Sequence, residues 1–116
     1  MNKVRNSITL IGNLGKDPET KQLENGKTVS KFSLATNEVY RNANGDKVTS
    51  TQWHNIVAWG KTAELSGNLL KKGKEVALTG KLTYRSYKDK EGVNRYIPEV
   101  IMEDFALMSS KEKVEA

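Results

Sequence analysis

The chain has 116 residues, a length that suits one domain with a single packed core. It contains no cysteine and one histidine, which excludes disulfides, thiolate metal sites and sites built from a histidine pair. Lysine and arginine number 19 against 14 acidic residues, and the net charge of +5 mildly favours a polyanionic partner.

The first half of the chain predicts strands separated by turns. Alternating or β-rich segments favour three long strands, over residues 4–12, 28–40 and 49–61. A short extended stretch at 19–23 precedes Asn25-Gly26, a strong hairpin signal, and the polar residues 42–46 predict a second hairpin loop. Phe32 and Leu34 mark the core face of the second strand.

The third strand carries two tryptophans six residues apart. In a strand, alternate side chains point to opposite faces. One face then carries the two rings and a cation, with Trp53, Asn55, Val57, Trp59 and Lys61. The other face is small or aliphatic, with His54, Ile56 and Ala58. Flat rings beside positive charge on an open sheet can stack unpaired bases, because every base has a π-face and every linkage has a phosphate. Burial in the core is the usual alternative for tryptophan in a strand, and this segment alone leaves it open.

Residues 61–72 change from the strand period to the helical one, which predicts a helix there. The apolar residues that share its predicted inner face are Ala63, Leu65, Leu69 and Leu70. Gly73, after two lysines, is a helix stop, while Gly67 weakens the helix interior.

The last part predicts two strands, residues 75–88 and 95–108, joined by a hairpin turn at 89–92. One face of the first holds Val76, Leu78, Gly80, Leu82 and Tyr84, and the other holds Lys81, Thr83, Arg85 and Tyr87. Gly80 suits the bend of a small closed barrel, and Pro98 argues for an edge or a bulge. Three strands, a helix and two strands predict an all-β OB-fold, a five-stranded Greek-key barrel with its helix between strands three and four. Another small α+β domain is the alternative.

Aromatic and basic side chains interleave on these predicted strands and hairpins. The aromatics on outward faces or strand ends are Tyr40, Trp53, Trp59 and Tyr87. The cations that accompany them are Arg41, Lys61, Lys71, Lys72, Arg85 and Lys88. Each base–aromatic stack is worth roughly 1–3 kcal/mol, and the cations add a salt-dependent phosphate contribution. The pattern predicts binding of single-stranded nucleic acid.

No catalytic or cofactor pattern accompanies these residues. The sequence has no P-loop, no Gly-x-Ser-x-Gly and no metal-spaced carboxylate set, so we expect neither enzymatic activity nor a cofactor or metal. His54 points inward with Ile56, which favours a structural histidine in the core or at a subunit contact. No apolar run reaches the length of a membrane span and no signal-peptide core is present, so we expect a cytoplasmic protein.

Several short motifs resemble those of the bacterial single-stranded DNA-binding proteins (SSB). They are IGNLGKDPE at 11–19, FSLAT at 32–36, WHNIVAWGK at 53–61, LKKG at 70–73, GKL at 80–82 and RY at 95–96. Each motif alone is weak, but their joint order and spacing are specific. Together with residues 2–4 they extend the resemblance over residues 2–108.

The resemblance implies a homotetramer that wraps single-stranded DNA, associated with the nucleoid, in replication, recombination and repair. It places base stacking on Tyr40, Trp53, Trp59 and Tyr87, and phosphate contacts on Lys3, Lys61, Lys71, Lys72 and Arg85. Positions 40, 59 and 87 keep an aromatic ring of a size different from the common one. Asn55 and Thr83 stand where some members carry arginine, and His54 matches a position associated with subunit contacts.

The family usually continues into a long flexible tail whose acidic tip recruits replication and repair proteins. Here residues 109–116 are short and polar, so we expect a DNA-binding domain at 1–108, a short tail at 109–116, and no recruitment through such a tip. Two other binding functions stay open. One is an OB-fold interaction module, such as a replication-restart accessory factor with weak DNA binding, and the other is RNA binding in a cold-shock-like mode.

Overall fold

The computed structural model describes residues 5–108. Its elements in chain order are β1 (Ile8–Leu14), β2 (Glu19–Gln22), β3 (Thr28–Arg41), β4 (Lys47–Trp59), α1 (Gly60–Leu69), β5 (Glu75–Lys88) and β6 (Asn94–Leu107). The predicted strands agree with these bounds to within a few residues, except that β1 begins later and ends later than expected. The predicted tail at 109–116 lies outside the described residues.

Five of the strands in the described part of the chain close into a barrel. Their hydrogen-bonded order is β1-β5-β6-β4-β3, and β3 closes the ring by pairing with β1. The β4·β6 pair is parallel and the other pairs are antiparallel. The helix α1 lies between the third and fourth barrel strands, which confirms the predicted OB-fold. The four-residue β2 pairs only with β3 and lies outside the ring.

The core is built from alternate side chains of the barrel strands and from one side of the helix. Its buried members are Leu14, Phe32, Leu34, Ile56, Ala58, Ala63, Leu70, Val76, Leu78, Val100 and Met102. Phe32 and Leu34 are both buried, as their alternation in the sequence predicts. Since alternate positions of β3 and β4 enter this core, the positions between them must face outward.

The helix starts earlier and ends earlier than the sequence predicted. It runs from Gly60 to Leu69, so Lys61 belongs to its first turn and not to β4. Lys71 and Lys72 follow the helix in a turn, and the expectation that they close it is wrong. No helix among residues 5–108 is long and apolar enough to cross a membrane.

The inner face of α1 also differs from the predicted one. Ala63, Ser66 and Leu70 are buried, whereas Leu65 and Leu69 are about half exposed. The hydroxyl of Ser66 donates a hydrogen bond of 3.0 Å to the carbonyl oxygen of Ala63, so this polar side chain is satisfied without water. The spacing of apolar residues did not identify Ser66 as buried, because a serine that bonds to its own helix can pack as a small apolar residue.

Beyond the barrel, β5 and β6 continue together as a two-stranded ribbon. β6 pairs with β4 only at Val100 and Ile101, so the part of β6 before them is an edge, as Pro98 predicted. Tyr84 lies opposite Pro98 on this ribbon and is 63% exposed. Tyr84 thus does not share the burial of Val76 and Leu78, with which alternation groups it, because both faces of the ribbon meet solvent at that point.

Asp89 holds the tip of the ribbon. Its Oδ1 accepts hydrogen bonds from the backbone N–H groups of Glu91 and Val93, and its Oδ2 accepts one of 2.9 Å from Nε of Arg95. The bond from Val93, followed by that from Arg95, lowers the pKa of the Asp89 carboxyl below its ordinary 3.8. Because the pKa of Asp89 is lower in the folded state, its ionised carboxylate stabilises the fold. This stabilisation is complete above pH 3.8 and is lost as the pH falls through the lower, folded-state pKa.

Gly80 lies where β5 and β6 shift register. Thr79 pairs with Asp104 but Gly80 pairs with Met102, which leaves Glu103 as an extra residue in a β-bulge. A Cβ at position 80 would collide with the backbone carbonyl oxygen of Ile101. Glycine is required here for close approach of the two backbones, in agreement with the bend predicted from the sequence.

Replacing Gly80 with alanine should therefore destabilise the barrel by about 1–3 kcal/mol, because the backbone of β6 must shift to admit the methyl group. Thermal unfolding followed by circular dichroism measures the effect. Thr79→Ala, at the exposed neighbouring position, is the matched control and should stay close to the parent. Equal unfolding temperatures for the two variants would contradict the packing described at Gly80.

Candidate nucleic-acid interface

A groove of about 490 Å³ crosses the outward face of the barrel where β3, β4, β6 and β5 lie side by side. Its floor includes Asn55 and Val57 of β4. The other outward-facing or loop side chains that line it are Lys16, Glu19, Lys31, Ser33, Arg85, Ile97 and Glu99. The groove thus follows the strand face that the sequence predicted to carry the rings.

The two tryptophans flank this floor along β4, although neither ring is part of the groove lining. Trp53 precedes Asn55 and Trp59 follows Val57 on the same face of β4, six residues apart, which is about 20 Å along a strand. Trp53 is 62% exposed and Trp59 is 44% exposed. Burial of these rings in the core, the alternative that the sequence left open, is therefore wrong for both.

Val57 departs from the predicted open face. It is only 4% exposed, and the register places Lys31 of β3 on one side of it and Ile101 of β6 on the other. The surface between the rings is consequently a groove with a partly apolar floor and not a flat platform. Asn55, the next outward residue, is exposed and supplies a polar amide beside that floor.

The ring of Trp53 is seated on the loop that follows β1. A Cβ at Gly15 would lie 2.5 Å from Cζ3 of Trp53 and 2.8 Å from Oγ of Ser33, so only a glycine leaves room for the ring there. The backbone N–H of Gly15 donates a 2.9 Å hydrogen bond to the carbonyl oxygen of Ser33, which fixes the loop. One part of the ring rests on protein while most of its surface stays free, which reduces the ordering cost of stacking a ligand on it.

Tyr40 and Tyr87 lie on the two long hairpins, outside the groove lining. Tyr87 is 42% exposed and shares its face of β5 with Arg85, a groove residue. Tyr40 is 52% exposed, but it pairs with Val48, and alternation from Trp53 places it on the opposite face of the β3–β4 hairpin. The structure therefore brings Trp53, Trp59 and Tyr87 to one side and leaves Tyr40 on another.

Three cations line the groove, and the sequence analysis named only Arg85 among them. Lys31 directly precedes the core residue Phe32 in β3, so its side chain points outward, into the groove. The alternation that places Phe32 in the core could therefore have identified Lys31 from the sequence. Lys16 lies in a loop, where no periodic signal exists.

The other predicted cations lie around the helix and not in the groove lining. Lys61 is exposed in the first turn of α1, and Lys71 and Lys72 are exposed in the turn after it. The backbone N–H of Lys72 donates a 2.8 Å hydrogen bond to Oδ1 of Asp17, which ties this turn to the loop after β1. Lys3 lies outside the described residues.

Two ion pairs occur in the groove lining. Nε of Arg85 donates to Oε2 of Glu99 at 2.9 Å, and the Glu99 side chain is only 11% exposed. Nζ of Lys16 lies 3.5 Å from Oε2 of Glu19, with both side chains mostly exposed. Among residues 5–108, Lys31 is the groove cation without an ion pair of this kind.

His54 lies on the inward side of β4, as predicted, but it is only half buried. Its Nε2 is 2.9 Å from Oγ1 of Thr36. It borders a second cavity of about 100 Å³, which is also lined by Ile8, Trp53, Asn55, Leu82, Pro98 and Val100. A subunit contact at His54 stays a prediction.

Comparisons with known proteins agree with this arrangement. Residues 5–108 match the model of the Single-strand binding protein family. The chain is 40% identical over 108 residues to "Single-stranded DNA-binding protein 1" of Chlorobaculum tepidum and 38% identical over 108 residues to the "Single-stranded DNA-binding protein" of Neisseria meningitidis. It is also similar to the solved "Plasmodium falciparum SSB complex with ssDNA", with a TM-score of 0.81 and 33% identity.

The extent of these similarities differs between the chains. The alignments cover 92% and 93% of this chain but 67% and 62% of the Chlorobaculum and Neisseria proteins. The structural match covers 89% of this chain and 94% of the Plasmodium chain. The barrel as a whole is therefore shared, while about a third of each curated relative has no counterpart in the alignment.

Replacing Gly15 with alanine should displace the ring of Trp53, because the added methyl group would occupy its seat. The tryptophan emission spectrum of the free protein measures this displacement. The same substitution in a Trp53→Phe background should leave the remaining emission, from Trp59, unchanged. An identical spectrum for the parent and Gly15→Ala would contradict the contact.

Proposed function

We propose that this chain, which belongs to the Single-strand binding protein family, binds single-stranded DNA without sequence preference and without catalysis. The observation that carries the proposal is the pair of exposed tryptophans that flank the floor of the outward groove. Each ring can stack a base of any identity, because all four bases present a π-face. The names of the relatives and the ligand in the Plasmodium complex support DNA as the nucleic acid.

Bases and phosphates meet different parts of this surface. The groove lining carries three cations and two carboxylates, so its own charge is small. Unpaired bases enter the groove and stack on Trp53, Trp59 and Tyr87, while Tyr40 serves a strand that passes around the β3–β4 hairpin. The sugar–phosphate backbone is neutralised by the cations around the helix, at Lys61, Lys71 and Lys72, and by Lys3.

This binding mode requires no cofactor and no metal. Stacking and phosphate neutralisation hold a strand unpaired, which prevents hairpins and protects it during replication, recombination and repair. The protein then acts in the cytoplasm on the nucleoid, and proteins of replication and repair are its secondary partners. A competition between matched DNA and RNA oligonucleotides separates this function from RNA binding, since only RNA offers a 2′-OH.

We further propose that the working form is a homotetramer with His54 near a subunit contact. The half-buried histidine borders a small cavity that is also lined by Ile8, Trp53, Asn55, Leu82, Pro98 and Val100, and a second subunit would cover the apolar residues Ile8 and Leu82 at this edge. Light scattering should give a particle of four times the 13.0 kDa chain mass. A monomer mass at the concentrations used for DNA binding would contradict the assembly.

Replacing Trp53 with alanine should weaken binding to oligo-dT by roughly 1–3 kcal/mol, because one base loses its stacking partner. The salt dependence of the affinity should stay as in the parent, since no phosphate contact is removed. Affinity measured by fluorescence anisotropy over a range of salt concentrations tests both statements. Unchanged affinity would remove Trp53 from the site.

Lys72→Ala is the matched comparison for Trp53→Ala, because it removes a proposed phosphate contact instead of a stacking ring. It should reduce the slope of log affinity against log salt by about 0.7, the contribution of one phosphate on a single strand. Its unfolding temperature should stay near that of the parent, because the backbone N–H, not the side chain, bonds to Asp17. An unaltered slope would exclude a phosphate contact at Lys72.

A further inference from the structure

Glu99 is a carboxylate in the wall of a groove to which we assign a polyanionic ligand. Its side chain is 11% exposed, and its Oε2 accepts a 2.9 Å hydrogen bond from Nε of Arg85. A buried carboxylate without a partner is costly, so the arginine is what allows Glu99 to remain charged there. The two residues form one unit with almost no net charge.

The β-ladder holds this unit in place. Glu99 pairs with Thr83, and Arg85 pairs with Ile97, so the acid and the base are diagonal neighbours on one face of the β5–β6 ribbon. The hydroxyl of Thr83 also lies 3.4 Å from the backbone carbonyl oxygen of Glu99. Neither backbone position can move without breaking the pairing of the two strands.

The second ion pair in the groove, between Lys16 and Glu19, is longer and more exposed than the pair between Arg85 and Glu99. Lys16 and Glu19 are separated by 3.5 Å, and their side chains are 58% and 74% exposed. Water and salt screen such a pair strongly, whereas the shorter pair with one buried partner is screened less. Lys16 can therefore exchange its carboxylate for a phosphate at low cost, and Arg85 cannot.

We propose that Glu99 limits the affinity of the groove for single-stranded DNA by keeping the charge of Arg85 paired. Arg85 then releases no counterion from a phosphate, in contrast to the phosphate contact that the sequence suggested for it. Its exposed guanidinium nitrogens remain able to lie beside a base. The inference rests on the proposed function and adds to it a residue that weakens binding, so that the strand is held mainly by stacking and can be released.

A double-mutant cycle tests this role with isosteric substitutions. Glu99→Gln keeps an acceptor for Arg85 but removes the opposing charge, so binding to oligo-dT should tighten and the salt slope should steepen by about 0.7. When the salt concentration rises from about 50 to 200 mM, the affinity of Glu99→Gln should therefore fall by a factor about 2.6 times larger than the affinity of the parent does. Arg85→Gln should bind more weakly than the parent, and the double variant should recover a slope close to the parental one.

Glu24→Gln is the charge-matched control, because Glu24 is exposed in the turn between β2 and β3 and lies outside the groove lining. It should leave the salt slope unchanged. Parental binding with an unchanged or flatter slope for Glu99→Gln would overturn the inference, as would a double variant with a slope below the parental one. Failure of the parent itself to bind would instead overturn the proposed function.

A second measurement on the unsubstituted protein keeps the test decisive if Glu99→Gln fails to fold. The Nε–Hε resonance of Arg85 in an NMR spectrum, assigned by its loss in Arg85→Lys, reports the bond to Glu99. The inference predicts that the through-space contact between this N–H and the Glu99 side chain persists when the protein is saturated with oligo-dT. Loss of this contact, with transfer of the N–H to a phosphate, would overturn the inference.

Discussion

The register of β4 is the constraint on which both the core and the site depend. This strand is paired on both sides, with β3 through thirteen residue pairs and with β6 at Val100 and Ile101. Ile56 and Ala58 are nearly inaccessible in the core, so alternation fixes Trp53 and Trp59 on the outward face. A slip of one residue would bury both rings and expose the core, so the energy that folds the barrel also orients the site.

The same barrel gives the outward face a mixed character that suits bases better than phosphates. Exposed rings flank the groove floor, a buried valine and an exposed amide form that floor, and two of the three groove cations are paired with carboxylates. The cations Lys61, Lys71 and Lys72 lie instead exposed around α1, in positions set by Gly60 and by the tie between Lys72 and Asp17. A strand bound in this way would be held by stacking and only steered by charge.

Much of this could be predicted from the sequence, because period-two patterns are reliable where one face of a strand is buried. The succession of strands and helix along the chain and the burial of Phe32 and Leu34 follow from such patterns, and alternation also puts Trp53 and Trp59 on one face without deciding whether that face is exposed. The predictions from alternation fail where a segment does not have one buried and one exposed face. Tyr84 lies on a ribbon with two solvated faces, and Ser66 replaces an apolar residue by bonding to its own helix. The Arg85–Glu99 pair depends on cross-strand register, which no single segment reveals.

The most direct test of the account is tryptophan fluorescence during titration with poly-dT, at low and high salt, with duplex DNA as the control. If the exposed rings stack unpaired bases, poly-dT should quench the emission strongly while duplex DNA quenches it little. Added salt should weaken the affinity without removing the quenching at saturation. Absence of quenching by poly-dT would contradict base stacking on Trp53 and Trp59, and the surface would then be assigned to a protein partner.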